Sequence, residues 1–150
     1  MMQANDLQTL ARMLARQASS LLQYLRGAWP WTPAGEQPIL ERLGAIQTEE
    51  SAALRDLVNF LLKNRGTPTG PVFPEEFTTL HFVGLDHLLP RLVAFQRWLV
   101  QGAEADLANL TDPAARTVGE KLVAMNRRHL AELEQLHGRH SQAHAKSTLR

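Results

Sequence analysis

Thr67-Pro68-Thr69-Gly70-Pro71 is the clearest break in this chain. Two prolines and a glycine within five positions remove backbone donors and favour turns, so we expect no helix or strand to run through the segment. The break lies near the middle of the 150 residues. A long crossover that joins two pairs of helices would lie at such a place.

Helical patterns occupy both sides of this break. Leucines recur at the three- and four-residue spacing of an amphipathic helix, and the period-two alternation of a strand is absent. The sequence predicts helices over 7–26, 34–64, 75–102 and 113–138, with a polar, fraying tail at 139–150. We therefore predict an all-α, antiparallel four-helix bundle in a single domain. Its ordered core spans about 6–138, and its long crossover joins the second helix to the third.

Single residues predict two local features of these helices. Pro90 lies inside the apolar pattern of the third helix, where it deletes one backbone hydrogen bond and crowds the carbonyl of Asp86. We expect a kink or a split near Pro90. Asn5 or Asp6 is expected to cap the first helix, because both side chains can accept from the free N–H groups of a first turn.

Composition and charge exclude several classes of protein. Sixteen basic and fifteen acidic residues give a net charge of +1, which provides no broad field for nucleic acid or an anionic membrane. The absence of cysteine excludes disulfides and thiolate chemistry. No apolar run reaches the roughly 18 residues of a transmembrane helix, and the first residues lack a signal-peptide pattern. We expect a cytoplasmic protein that binds neither nucleic acid nor membrane.

Each predicted helix carries a polar residue where its apolar stripe requires a hydrophobic one. These residues are Gln17, Glu50, Gln96, Asn126 and His129. Because they share the inner faces of the helices, we expect them to converge on one buried polar layer without a metal. An unpaired buried carboxylate is costly, so Glu50 should accept hydrogen bonds from a neighbouring amide or from His129, or should be protonated.

This pattern resembles the ferritin-like superfamily, the bundle type of rubrerythrin and bacterioferritin. Glu50-Ser51-Ala52-Ala53 and Asn126-Arg127-Arg128-His129 occupy the places of its two Glu-x-x-His motifs. Gln17 and Gln96 occupy the places of its two single glutamates. The resemblance covers roughly 7–136 and implies a bundle whose centre, in that family, holds a carboxylate-bridged pair of metal ions.

Most of the metal ligands of that family are absent here. Gln17, Gln96 and Asn126 are neutral amides, and Ala53 cannot ligate a metal. One carboxylate and one imidazole cannot balance two divalent cations, so we expect no cofactor and none of the family's oxidase, peroxidase or iron-storage activities. The expected role is non-enzymatic interaction or scaffolding, with an unknown protein partner or through self-association such as a homodimer.

Histidines keep a metal-binding alternative open. A run near the C-terminus has a spacing that could place imidazoles on one helical face for zinc or nickel: His137, His140 and His144. A rival resemblance is to DinB-like bundles, whose pattern requires three histidines from separate helices, and His87, His129 and His137 would take that role. The alternative is a metal-binding protein or metalloenzyme that uses Glu50, His129 and other histidines.

Aromatic residues cluster near loops and helix ends: Trp29, Trp31, Phe73, Phe77 and Phe82. Our interpretation is that they cover the ends of the core. The alternative is an aromatic patch that docks a partner or a second copy of the chain.

Overall fold

The computed structural model describes residues 2–26, 29, 32–80 and 83–148. Within these ranges every regular element is helical and no strand is present, which confirms the predicted all-α class. The α-helices are α1 (Ala4–Ala18), α2 (Leu21–Tyr24), α3 (Gln37–Lys63), α4 (Leu85–Asn109) and α5 (Pro113–Thr148). Short 3-10 helices form at Ala34–Glu36 and Glu75–Leu80.

The first helix ends earlier than the sequence pattern indicates. A single helix over 7–26 is wrong, because α1 ends at Ala18 and a new helix, α2, starts after Ser20. The Ser20 hydroxyl accepts a hydrogen bond from the backbone N–H of Gln23 at 3.2 Å. This is N-capping, which satisfies a free donor in the first turn of α2. The break leaves Ser20 buried.

The third predicted helix begins later than expected. Residues 75–80 form a 3-10 helix, and α4 starts only at Leu85. The helix is continuous through Pro90, so a split at that residue is wrong. Because α4 begins five residues before Pro90, the proline lies in the second helical turn and deprives only the Asp86 carbonyl of its intrahelical partner. The kink stays a prediction.

Gly102 was expected to end the third helix but lies inside α4, which continues to Asn109. Its role is close packing: a methyl group at Gly102 would lie 2.8 Å from the guanidinium carbon of Arg16. The absent side chain therefore gives Arg16 room to reach Asp106, with which it forms an ion pair at 2.7 Å.

The last helix also passes its predicted end. α5 continues through Gly138 to Thr148, so the expected fraying after residue 138 is wrong over the described part of that segment. His140 is buried in this extension, and its Nε2 lies 2.7 Å from a carboxylate oxygen of Glu36. The contact fastens the end of α5 to the 3-10 turn that precedes α3.

Ion pairs that α5 forms with α3 and α4 define the directions of these three helices. They are Arg42–Glu132 and Glu49–Arg128 between α3 and α5, and Glu104–Arg127 and Arg97–Glu134 between α4 and α5. In both sets the residue number rises on one helix as it falls on the other, so α5 is antiparallel to both α3 and α4. Consequently α3 and α4 run in the same direction, and the segment that connects them returns along the length of the helices.

Apolar packing is divided into two clusters. One contains Leu43, Leu89 and Leu133, and the other contains Leu10 and Leu57, each with further leucines and small apolar residues. On α3, α4 and α5 the expected polar positions fall between residues of the two clusters, and Gln17 lies between Leu14 of one cluster and Leu21 of the other. A polar layer thus separates two apolar ones.

The aromatic residues divide between core and surface. Phe77 is buried, and Trp29 is half-buried against the cluster that contains Leu89. Phe73 keeps 36% of its surface exposed. Trp31 and Phe82 lie outside the described residues.

Candidate functional site

The polar residues expected on the inner faces are all buried. None of them exposes more than 2% of its surface: Gln17, Glu50, Gln96, Asn126 and His129. Direct hydrogen bonds join four of these side chains, and His129 is the one left out.

The four joined residues form a chain that crosses all four long helices. Gln96 on α4 donates from Nε2 to both the side-chain and the backbone oxygen of Asn126 on α5, at 3.0 Å each. Asn126 donates from Nδ2 to Oε1 of Gln17 on α1 at 2.8 Å. Gln17 then donates from Nε2 to Oε2 of Glu50 on α3.

Every amide in this chain donates in the same direction, toward Glu50. The backbone carbonyl of Asn126 fixes that direction, because turning the Gln96 amide around would place two oxygens against each other. An ionised carboxylate has no hydrogen to donate and can only accept hydrogen bonds. Glu50 is therefore a suitable end for such a chain. The layer is closed by hydrogen bonds between protein groups.

The other oxygen of Glu50 has two partners that the sequence analysis missed. Oε1 accepts from the Ser20 hydroxyl at 2.7 Å and from Nε2 of Gln23 at 2.9 Å. Both partners depend on the break between α1 and α2, which turns Ser20 inward. A signal was available, because Ser20-Leu21-Leu22-Gln23 matches the Ser-x-x-Gln pattern that marks a helix start.

Among the described residues, the hydrogen-bond partners of Glu50 include no basic side chain. Burial raises the pKa of its carboxyl above the ordinary value of 4.5. Hydrogen bonds from Ser20, Gln23 and Gln17 act in the opposite direction without reversing the shift. The donors thus stabilise the anion in the core, but the effect of burial on the pKa is larger than theirs.

His129 takes no part in the chain of hydrogen bonds from Gln96 to Glu50. Its Nε2 lies 3.3 Å from Oε2 of Glu49, and neither ring nitrogen makes a well-directed hydrogen bond within the described residues. Burial lowers the pKa of the His129 imidazole, and Glu49 acts in the opposite direction. The possible contact between His129 and Glu50 is not found. Instead the ring approaches Glu49, which is partly exposed and also accepts from Arg128 at 2.6 Å.

Ala53, the remaining residue at an expected ligand position, has no polar side-chain atom with which to join this chain of hydrogen bonds. It lines a groove of about 270 Å³ between α3 and α5, beside Leu57 and Leu122. Asp56 and Lys121 also line this groove, so its lining combines apolar and charged side chains.

The other candidate histidines are dispersed. His87 is exposed on α4, His137 is half-buried on α5, and His140 lies against Glu36. The side chain of His144 lies outside the described residues. Within the part of the chain that the structure describes, no three His, Asp or Glu side chains lie close enough to share a metal ion. Among the described residues, neither the C-terminal histidine run nor the DinB-like set of histidines forms a cluster.

No family model, curated protein or solved structure matches this chain. Arguments about its function therefore depend on its own residues and their geometry. In the ranges that the structure describes, no helix combines the length and the apolar character needed to cross a bilayer.

Proposed function

We propose that this chain is an antiparallel four-helix bundle of the ferritin-like type, in which a hydrogen-bonded layer occupies the positions of the di-metal centre. α1, α3, α4 and α5 would be its four helices, and the segment between α3 and α4 would be its long crossover. The common direction of α3 and α4 supports this proposal, because it requires such a connection. The place of the polar layer between two apolar clusters also supports it.

The proposed role is that of a cytoplasmic, non-enzymatic protein that acts through contacts with a protein partner or a second copy. The observation that carries this proposal is the hydrogen bonding of Glu50: each of its two oxygens accepts from a protein donor, and the two together accept three hydrogen bonds. A cation at Glu50 would have to displace Gln17 and turn the amide of Asn126 around. The layer is better suited to fixing the register of the helices than to holding a reactive metal.

Restoring the ligands of the family tests the proposal. The variant combines four substitutions: Gln17→Glu, Ala53→His, Gln96→Glu and Asn126→Glu. With Glu50 and His129 it would contain two Glu-x-x-His motifs and two single glutamates. We expect the variant, made without a histidine tag, to retain about two manganese or cobalt ions per chain after gel filtration. The wild type should retain far less than one.

The control separates a specific site from added negative charge. Asn59→Glu, Gln101→Glu and Gln135→Glu add three carboxylates at exposed positions and should leave metal retention at the wild-type level. Circular dichroism verifies that each variant is helical. A folded four-substitution variant that binds no metal would overturn the ferritin-like assignment. Stoichiometric iron, manganese or zinc in the wild type would overturn the non-metal role.

A metal-binding alternative has one observation in its favour. Both ring nitrogens of buried His129 lack hydrogen-bond partners among the described residues, and a neutral imidazole is a common zinc ligand. Zinc titration of the wild type and of two variants tests it. Binding that is lost in His129→Gln and kept in His137→Gln would favour the alternative.

A further inference from the structure

An apolar groove of about 530 Å³ lies between the Glu75–Leu80 helix and α4. Phe77, Leu80 and Phe95 contribute its apolar lining, and Trp98 forms part of its edge. Trp98 keeps 52% of its surface exposed, which is unusual for a tryptophan. The groove and the exposed indole therefore lie side by side on one face of the chain.

The exposed indole is held in place from two sides. The ring of Phe95 lies 5.2 Å from the ring of Trp98, and the guanidinium of Arg16 lies 5.8 Å from it. Arg16 is in turn fixed by its ion pair with Asp106. Trp98 is therefore an ordered, half-exposed aromatic side chain, and such residues are the anchors of protein interfaces because little entropy is lost when they bind.

Two charges of opposite sign line the groove. Glu76 lies on the 3-10 helix and Arg91 on α4, and neither forms an ion pair within the described part of the chain. A suitable occupant would present an aromatic face to the Arg91 cation and a hydrogen-bond donor to the Glu76 carboxylate. An indole offers both, through its ring and its N–H group.

We propose that the occupant of the groove is Trp98 of a second copy of this chain, in a two-fold symmetric dimer. This inference rests on the interaction role proposed above and names the partner. If two α4 helices cross in antiparallel fashion between Ala94 and Phe95, residue 91 of each chain lies opposite residue 98 of the other. Ala94 is exposed and small, so the helices can approach closely.

Symmetry supports a second copy over an unrelated partner. A two-fold interface requires that one surface carry both complementary features. Here each chain presents the indole and, beside it, a groove whose lining combines apolar side chains with a cation and a carboxylate. The opposite charges of Glu76 and Arg91 give the groove no preference for an acidic or a basic partner.

Sedimentation equilibrium of the untagged full chain, from about 1 to about 500 µM, tests the dimer. We expect a monomer–dimer equilibrium in the wild type and a dissociation constant at least about tenfold higher in Trp98→Ala. Trp98→Phe keeps an aromatic ring and loses the N–H group, so its effect should be intermediate. Leu62→Ala is the matched control, because Leu62 is 59% exposed on another helix and its substitution should change nothing.

A mixing experiment tests the reciprocal contact. Neither Trp98→Ala nor Arg91→Ala can form an Arg91–Trp98 contact with its own kind. A heterodimer of the two variants retains one such contact, so the mixture should associate more tightly than either variant alone. A mixture that is no tighter would overturn the proposal.

Three further results would overturn the proposed dimer. They are a wild type that stays monomeric at every concentration, self-association that Trp98→Ala leaves unchanged, and equal weakening by Leu62→Ala. A monomeric wild type would assign the groove to another occupant. It would leave the metal retention of the four-substitution variant unaffected, so failure of the dimer is distinguishable from failure of the ferritin-like assignment.

Discussion

Two carboxylates with no exposed surface have pKa values displaced in opposite directions. Asp6 accepts three hydrogen bonds, from the backbone N–H groups of Thr111 and Asp112 at 3.1 and 2.8 Å and from the Thr111 hydroxyl at 3.0 Å. Burial alone would raise the pKa of Asp6, but these donors outweigh it and lower the pKa below 3.8. Glu50 also accepts three hydrogen bonds, yet its pKa is raised.

The surroundings explain the difference, since the number of donors is the same. Asp6 lies at the turn between α4 and α5, beside exposed Thr111 and the positive N-terminal end of α5. Glu50 lies between two apolar clusters, and its donors are side chains. An anion is therefore stabilised at the end of the helices and only tolerated at their centre. The expected cap of α1 by Asp6 is wrong, because the residue caps this distant turn instead.

Gln17→Glu should change the free energy of unfolding more than the other substitutions, because it places a second carboxylate against Glu50. Two adjacent buried carboxylates cannot both ionise, so one must remain protonated. We expect a loss of about 3 kcal/mol in the free energy of unfolding at about pH 8, most of it recovered near about pH 5. Urea unfolding measures it, with Gln8→Glu on the exposed face of α1 as the control. If Gln17→Glu were as stable as the wild type at the higher pH, residue 17 and Glu50 could not be in direct contact.

Glu50→Ala should rank second, at about 1–3 kcal/mol, because Gln17, Ser20 and Gln23 lose their common acceptor. Glu50→Gln should cost less than about 1 kcal/mol. The Ser20 hydroxyl and the Gln23 amide can turn to accept from the new amide, while Gln17 continues to donate. Chemical denaturation compares both variants with the wild type. Equal costs for the two substitutions would show that the donors around Glu50 do not matter.

Asp6→Ala should cost less than Glu50→Ala although it also removes three hydrogen bonds. Water can reach the freed donors at the turn, whereas it cannot easily reach the centre, so we expect about 1–2 kcal/mol. Thermal and urea unfolding of the two alanine variants under identical conditions give the ranking. A larger cost at Asp6 than at Glu50 would reverse our explanation of the difference.

The smallest expected effect is the opposite pH dependence of the two sites. The raised pKa of Glu50 means that the folded state binds its proton more tightly, so its contribution to stability falls as the pH rises above 4.5. The lowered pKa of Asp6 gives a contribution that is present above 3.8 and lost as the pH falls below that value.

Difference curves isolate the pH-dependent contributions of Glu50 and Asp6 to the free energy of unfolding. The unfolding free energies of Glu50→Gln and Asp6→Asn are each subtracted from the wild type between about pH 3 and about pH 8. With increasing pH the Glu50 curve should fall and the Asp6 curve should rise. Slopes of the same sign would contradict the comparison.

The inward positions of Gln17, Glu50, Gln96 and Asn126 could be predicted, because each lies within a regular leucine stripe. The partner of His129 could not. Glu49 and Glu50 are adjacent polar residues, and packing between helices decides which of them a neighbour meets.

Contacts distant in sequence explain the other missed features. Leu21 and Leu25 continue the apolar stripe across the break before α2, which concealed the inward turn of Ser20. Gly102 and Gly138 resemble helix ends locally. In the folded chain, α4 continues through Gly102, which leaves room for Arg16. α5 continues through Gly138, and His140 beyond it contacts Glu36. Both contacts join residues that are far apart in the sequence, so a local pattern cannot reveal them.

The most direct test of the hydrogen-bonded layer is anomalous diffraction from crystals of the wild type grown with excess manganese. We expect no anomalous peak between the helices at Glu50, and continuous hydrogen-bond contacts from Gln96 through Asn126 and Gln17 to Glu50. A peak at metal–ligand distance from the Glu50 carboxylate, with the Gln17 amide turned away, would contradict the account.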